Sequence, residues 1–222
     1  EPLPANYGLL PQRAEFLRAL AEHARRAGTL LIFDEVISGF RVGFQGYAGL
    51  SGITPDLVTY GKIIGGGFPV GAYGGRRDLM ELVAPVGPVY QAGTLSANPV
   101  AMRAGLAALQ QLADGAIYAR LESLGASLEQ SLAGIPGLWV QRFASLFWLV
   151  LSRGGRPALP IRSIAGFPAD AGRCYGQIYH PLLDRGIYLA PSAFEVGFLS
   201  AAHDAGSVDQ LSAALRDLVR DL

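Results

Sequence analysis

Apolar residues recur along this chain with changing period, and the changes divide it into elements. Between Pro11 and Ala27 they fall at Phe16, Leu17, Leu20, Ala21 and Ala24 with charges between them, the spacing of an amphipathic helix that Gly28 stops. Thr29 to Phe33 is an unbroken apolar run, partly β-branched, which predicts a strand covered on both faces. Leu57–Tyr60, after the turn Thr54-Pro55-Asp56, predicts a second short strand, and Val70–Tyr73 a third, broken by Gly74-Gly75. Asn98-Pro99 then opens a helix from Val100 to about Leu112, whose small face of Ala101, Ala104, Gly105 and Ala108 permits close packing. Helix, strands and helix in this order predict an α/β domain with a mainly parallel sheet and flanking helices.

Beyond about Asp114 the pattern changes. A helix is expected from Ile117 to Leu132, ending at Gly134-Ile135-Pro136-Gly137, and Trp139–Arg142 with Leu146–Leu151 reads as a strand pair. Arg153–Gly166, rich in Gly, Pro and Arg, predicts a loop. Helices at about Asp170–Arg185 and Val208–Leu222 flank a strand-like Ile187–Ala190. This second part is a smaller α+β domain. The boundary falls in the helical region 98–132 and is drawn so that residues 1–112 and 113–222 form the two domains.

Composition narrows the function. Of 222 residues half are hydrophobic, enough for a sizeable core, and eighteen basic residues cancel eighteen acidic ones. The charges are interspersed, which argues against a nucleic-acid or polybasic membrane surface. One cysteine, Cys174, excludes an internal disulfide framework and makes a reducing compartment, the cytoplasm, the default. His23, His180 and His203 lack the spacing of zinc ligands, so no metal is expected. No apolar run approaches the roughly 20 residues needed to span a bilayer. Glu1-Pro2 reads as the loop after a strand, and the chain as the C-terminal part of a longer protein.

Two charged side chains stand out. Asp34 ends an apolar strand, the edge at which open α/β sheets bind ligands, and an aspartate there is expected to be desolvated. It suits a protonated pyridine nitrogen, or equally a helix cap or an ion pair with Arg41. Lys62 follows the next strand, ahead of Gly65-Gly66-Gly67, and is the only lysine; the other seventeen basic residues are arginine. A single amine in a glycine-lined place points to chemistry that needs a deprotonated nitrogen, which arginine cannot supply. An amine to hold an aldehyde as a Schiff base, with a carboxylate from a neighbouring strand, is what a pyridoxal phosphate site needs. Val36 lies where it could pack under a flat ring, though ordinary core is the simpler account. Gly93-Thr94-Leu95-Ser96-Ala97-Asn98-Pro99 offers backbone N–H groups and the Thr94 hydroxyl to a phosphate, or plain N-capping by Ser96 or Asn98.

These motifs together resemble the class III pyridoxal-phosphate aminotransferases, in the stretches Leu31–Arg41, Gly61–Gly67 and Tyr90–Ser96, and within that class the glutamate-1-semialdehyde 2,1-aminomutases. Pro191–Ser200 with Ala202-His203 is similar to that group's C-terminal signature. The resemblance implies the C-terminal part of a fold-type I large domain plus a small α+β domain. It implies Lys62 as Schiff-base lysine and proton shuttle, Asp34 on the pyridine nitrogen and Val36 on the ring face. Gly93 and Thr94 would hold the cofactor phosphate across a homodimer interface, Asn6 would lie near the ring hydroxyl, and Glu195 would reach the substrate, glutamate 1-semialdehyde. His203 would be structural. The implied cofactor is pyridoxal 5'-phosphate with its pyridoxamine form, and the implied reaction forms 5-aminolevulinate; an external-donor aminotransferase and an inert fragment are the alternatives. The chain departs from the family pattern at Ala97, where glycine usually precedes Asn-Pro. It departs again at Ala144-Ser145-Leu146-Phe147, where Gly-Ser-Met-Phe is common. The family's glycine-rich phosphate loop, its ring-stacking aromatic and the residues for the substrate carboxylate are expected upstream of Glu1.

Overall fold

In the computed structural model, which describes residues 1–220, the chain divides into two compact units. One comprises Glu1–Pro2 with Gln12–Gly115, the other Leu3–Pro11 with the chain from Ala116 onward.

The first unit runs α1 (Ala14–Arg26), β1 (Ile32–Asp34), α2 (Gly46–Ser51), β2 (Leu57–Tyr60), β3 (Ala72–Gly75), α3 (Arg77–Met80) and α4 (Pro99–Leu112). Helical bonding in α1 begins at Arg13, whose carbonyl accepts from Leu17 N–H, so the helix starts later than Pro11. Gly28, at φ 65°, ends it as expected, with Thr29 N–H closing on the Ala24 carbonyl at 2.9 Å. The sheet has the order β1-β2-β3. β1 and β2 are parallel with Asp34 opposite Thr59, but β3 returns antiparallel with Ala72 opposite Tyr60. The sheet is therefore mixed rather than mainly parallel within this chain. The link Gly61–Gly71 is too short for the crossover that a parallel return requires. Gly74 and Gly75, expected to break the third strand, belong to it. β1 is shorter than predicted and not covered on both faces: Phe33 is buried while Ile32 is 56% exposed. A continuous apolar run does not by itself report which face is covered.

The second unit contains α5 (Ala116–Leu132), β4 (Leu138–Phe143), β5 (Leu146–Leu151), α6 (Ala171–Asp184), β6 (Gly197–Phe198) and α7 (Ala205–Arg220). The expected strand pair is an antiparallel hairpin with Phe143 opposite Leu146, joined by the two-residue turn Ala144-Ser145. Its third strand is not Ile187–Ala190, which is irregular, but β6, which pairs with Leu146 and Phe147. The Ala190 carbonyl is instead taken by the Tyr175 hydroxyl at 2.6 Å, outside any ladder. Every residue of β5 is buried, and Leu128, Ile178 and Leu215, one from each of α5, α6 and α7, close the core. Each such side chain contributes about 1.5–3 kcal/mol on burial. The predicted end of α7 at Leu222 lies outside the described residues.

Leu3–Pro11 crosses this second unit as a strap. Leu3 and Leu9 are buried, and the buried Gln141 carboxamide donates to the carbonyls of Leu9 and Ile161 while accepting from Ile161 N–H. Arg162 holds the Pro11 carbonyl at 2.5 Å. No periodicity in the sequence marks this strap. Among the described residues no helix is long and apolar enough to cross a membrane.

Candidate active site

The parallel pairing of β1 with β2 brings the carboxyl ends of both strands to one edge of the first unit's sheet, which puts Asp34 and the residues after Tyr60 at the same end. Lys62 is the first residue of a 3-10 turn, Lys62–Gly65, directly beyond β2. Its φ is 50°, in the left-handed region that long side chains rarely occupy. Such a conformation costs about 1–2 kcal/mol and persists only where the surroundings enforce it. Here α4 does so. A Cβ on Gly66 would lie 2.4 Å from the Ala104 carbonyl oxygen, and one on Gly105 would lie 2.1 Å from that of Ile64. The turn and the helix therefore touch backbone to backbone, the close packing expected of the small face of α4. The glycines after Lys62 serve this contact first: Gly66 is required by its neighbour as well as by its own φ of 57°.

Val36, half-buried, packs over Gly61, where a Cβ would come within 3.1 Å of its Cγ1. An apolar branched side chain thus stands directly beside the residue preceding Lys62. Asp34 is exposed rather than desolvated. Its Oδ1 accepts from Val36 N–H at 2.9 Å, a local turn contact that leaves the carboxylate facing outward and fixes the chain on which Val36 sits.

The buried carboxylate is the next residue, one that sequence reasoning passed over. Glu35 is fully buried and accepts from Tyr47 N–H at 2.6 Å, Ala48 N–H at 2.9 Å and the Ser38 hydroxyl at 2.9 Å. Those amides belong to the first turn of α2, so Glu35 caps that helix from a distance in sequence. Gly46, at φ 63°, is demanded by the same contact, since a Cβ would lie 2.5 Å from Glu35 Oε2. Burial first, and the Glu35 charge second, hold the Tyr60 phenol above its ordinary pKa. The only sequence signal for Glu35 is an acid inside the apolar run Leu30–Ile37.

Gly93 and Thr94 lie in an exposed turn ahead of α4. Asn98 caps that helix, its Oδ1 accepting from Val100 N–H at 3.0 Å and Ala101 N–H at 3.3 Å, with Pro99 as the first helical residue. The capping half of the sequence reading thus goes to Asn98, and Thr94 is not spent on it. Close to the turn in sequence, Tyr90 is 83% exposed and Leu95 76%.

The remaining two predicted residues belong to the second unit. Asn6 is exposed on the strap and Glu195 is exposed on the loop before β6. That loop borders a cavity of about 660 Å³ in the second unit, whose lining includes Tyr188, Glu195 and His203. His203 Nδ1 accepts from Ser200 N–H at 3.0 Å, which fixes the ring's orientation and leaves its proton on Nε2, in keeping with a structural role.

Sequence relatives carry names consistent with this arrangement. The chain is 56% identical over 212 residues to a glutamate-1-semialdehyde 2,1-aminomutase of Leptospira biflexa, covering 91% of this chain and 48% of that protein. An omega-transaminase of Sphaerobacter thermophilus superposes on all of this chain and 51% of its own, with a TM-score of 0.85 at 36% identity. A transaminase solved with PLP bound does so at a TM-score of 0.80 and 31% identity, again over 51% of its length. The chain spans about half the length of the curated relatives it matches. The sequence pattern of class-III aminotransferases matches residues 1–137, and the chain belongs to that family.

Proposed function

We propose that the whole protein transfers an amino group within one molecule, converting glutamate 1-semialdehyde to 5-aminolevulinate for tetrapyrrole synthesis in the cytoplasm. The cofactor these residues would hold is pyridoxal 5'-phosphate or its pyridoxamine form. The observation that carries this reading is Lys62, the chain's one lysine, held in a left-handed turn at the carboxyl edge of the sheet. The donor set suits that cofactor in its chemistry: an amine for the aldehyde, a carboxylate for a protonated ring nitrogen, a branched apolar side chain for a ring face, and a free hydroxyl with backbone N–H groups for a phosphate. When bound, the cofactor supplies an electron sink for breaking bonds at the amine-bearing carbon. Lys62 holds it and moves the protons, Asp34 keeps its ring nitrogen charged, and Val36 with Gly61 forms a flat floor. Gly93 and Thr94 take the phosphate, Asn6 meets the ring hydroxyl, and Glu195 orients the substrate. Identity of 56% to a named aminomutase against 36% to a named transaminase favours the internal transfer over an external donor.

Two further parts of the reading concern organisation. Residues 1–112 serve the cofactor and 113–222 form the small domain. A homodimer is supported by the exposed apolar side chains of Tyr90 and Leu95, close in sequence to Thr94, which a second copy would cover.

Borohydride reduction of the full-length protein loaded with pyridoxal phosphate tests the assignment. Peptide mapping is expected to find the label on Lys62, and 5-aminolevulinate is expected to form from the semialdehyde with no added amine. Lys62→Arg should abolish turnover and spare the fold, since the charge survives and the nucleophile does not. A label on another lysine, or an absolute need for an amino donor, rejects the reading.

A further inference from the structure

The loop that carries Glu195 is fastened at more points than an exposed loop requires, and every fastening group lies in the second unit. Three of its carbonyls accept hydrogen bonds: Ala190 from the Tyr175 hydroxyl at 2.6 Å, Ala193 from Trp148 Nε1–H at 2.7 Å, and Phe194 from Gly8 N–H at 2.6 Å. The Phe194 ring stacks on Tyr7 with centroids 4.4 Å apart and planes 6° from parallel. It also meets Phe167 at 4.9 Å, tilted by 50°, and Phe167 stacks on Trp148 at 4.7 Å. Gly8 is at φ 81°, and a Cβ there would lie 2.7 Å from the Trp148 ring, so this position admits no side chain. Glu195 itself stays exposed, on a backbone with little freedom.

We propose that the strap Leu3–Pro11 is the positioning element for Glu195, with Tyr7 and Gly8 gripping Phe194 and thereby setting where the next residue's carboxylate stands. The inference rests on the reading of Glu195 as a residue that meets the substrate. The strap has two separable attachments. Gln141 and Arg162 hold its far end at Leu9 and Pro11, and would keep it in place without help. Tyr7, in contrast, is 54% exposed and turns its ring to Phe194 instead of to the core. Its contact adds little burial and much direction, as aromatic stacks do. Because Asn6 precedes Tyr7 and Glu195 follows Phe194, two residues assigned to the site are joined by one stacked pair and one hydrogen bond. Such a link is reciprocal: what orders one end orders the other.

The test uses the full-length protein with Tyr7→Ala, which removes the stack, Tyr7→Phe, which keeps it, and Glu195→Gln. Amide exchange of the cofactor-free protein is expected to quicken across residues 190–199 by about tenfold in Tyr7→Ala and to stay normal in Tyr7→Phe. Turnover should fall by about tenfold or more in Tyr7→Ala with KM little changed, and recover in Tyr7→Phe. On the Glu195→Gln background Tyr7→Ala should change kcat by under about twofold, because the group it positions is already gone. Unaltered exchange, or an equal loss of kcat on both backgrounds, overturns the proposal. Should Glu195→Gln keep full turnover while borohydride still labels Lys62, Glu195 has no task to be positioned for, and this inference falls while the cofactor assignment stands. Failure to label Lys62 would be a failure of that assignment, and the exchange comparison would still decide whether the strap fixes the loop.

Discussion

Lys62 and Glu195 stand on supports of opposite kinds. Behind Lys62 the chain is held by bare backbone: Gly66 against Ala104 and Gly105 against Ile64, with few buried side chains nearby and with Asp34 and Thr94 exposed. The first unit has a small buried set, chiefly Leu17, Phe33, Ile37, Val42 and Tyr47, and it turns Val86, Tyr90 and Leu95 outward. Behind Glu195 lies a dense core in which Leu128, Ile178 and Leu215 are buried, and the loop itself is gripped by aromatic rings. Within this chain the first unit's site residues Asp34 and Thr94 stand apart from the buried set, whereas in the second unit function and packing share residues. Substitutions should separate activity from stability in the first unit and mix them in the second.

Adjacent carboxylates give the sharpest form of that distinction. Asp34→Asn in the full-length protein should cost about 3–4 kcal/mol of transition-state stabilisation, the scale of losing one preorganised electrostatic partner, and leave the melting temperature unchanged. Glu35→Ala should do the reverse. It strands two amide donors of α2 and the Ser38 hydroxyl, at about 1–3 kcal/mol for each group left buried without a partner. Turnover per folded molecule, set beside chemical denaturation, checks both. An Asp34→Asn protein within about tenfold of normal turnover would make Asp34 a turn residue and nothing more.

That pair also shows what the sequence could and could not disclose. The bounds of β2, the lone Lys62 and the glycine run were legible because each is a local departure from a pattern. So were the β4–β5 hairpin and the small-residue face of α4, whereas α1 starts three residues later, and α7 three residues earlier, than the pattern predicts. Glu35 was not legible, because its partners at Tyr47 and Ala48 are supplied by a six-residue helix with no periodicity of its own. Ile187–Ala190 has the composition of a strand, yet the Tyr175 hydroxyl, fifteen residues away, claims its last carbonyl. The strap Leu3–Pro11 is held in part by one buried glutamine, and a lone polar residue in a strand carries no signal of where it will bond.

Tyr175 offers a test confined to the second unit, since both tryptophans, Trp139 and Trp148, lie there and report on it. Burial, with smaller contributions from Tyr179 and the Glu195 charge, pushes the Tyr175 phenol up to about 12. In the unfolded chain a tyrosine titrates near 10 (about 10). The fold prefers the neutral phenol that bonds to Ala190, so its contribution is complete below about pH 10 and is lost as pH rises from there through about 12. Denaturation followed by tryptophan fluorescence should lose about 1–3 kcal/mol across that window. Tyr175→Phe should flatten the decline, at a cost of about 1 kcal/mol at neutral pH for the missing hydrogen bond. An unchanged slope in the variant would assign the alkaline loss to other groups.

The smallest effects should come from Ala97 and Ala144, two alanines in turns. Ala97 has φ 55° and Ala144 φ 51°, so both sit in the left-handed region that glycine enters freely. That conformation costs alanine about 1–2 kcal/mol, and the extra freedom of glycine in the unfolded chain returns about 0.5–1 of it. Each alanine-to-glycine change should therefore stabilise by about 0.5–1 kcal/mol, against the usual sign of such a substitution. For Ala144→Gly the gain belongs to the β4–β5 hairpin and should raise the tryptophan-detected midpoint directly. For Ala97→Gly it belongs to the turn between Thr94 and the Asn98 cap, and should appear as slower exchange at the Val100 and Ala101 amides that Asn98 holds. A loss of stability at Ala144 would mean that its backbone leaves the left-handed region in solution. A loss of exchange protection at Ala97 would say the same of the turn that carries Thr94, and the backbone-led account of the first unit would fail at the point nearest its site.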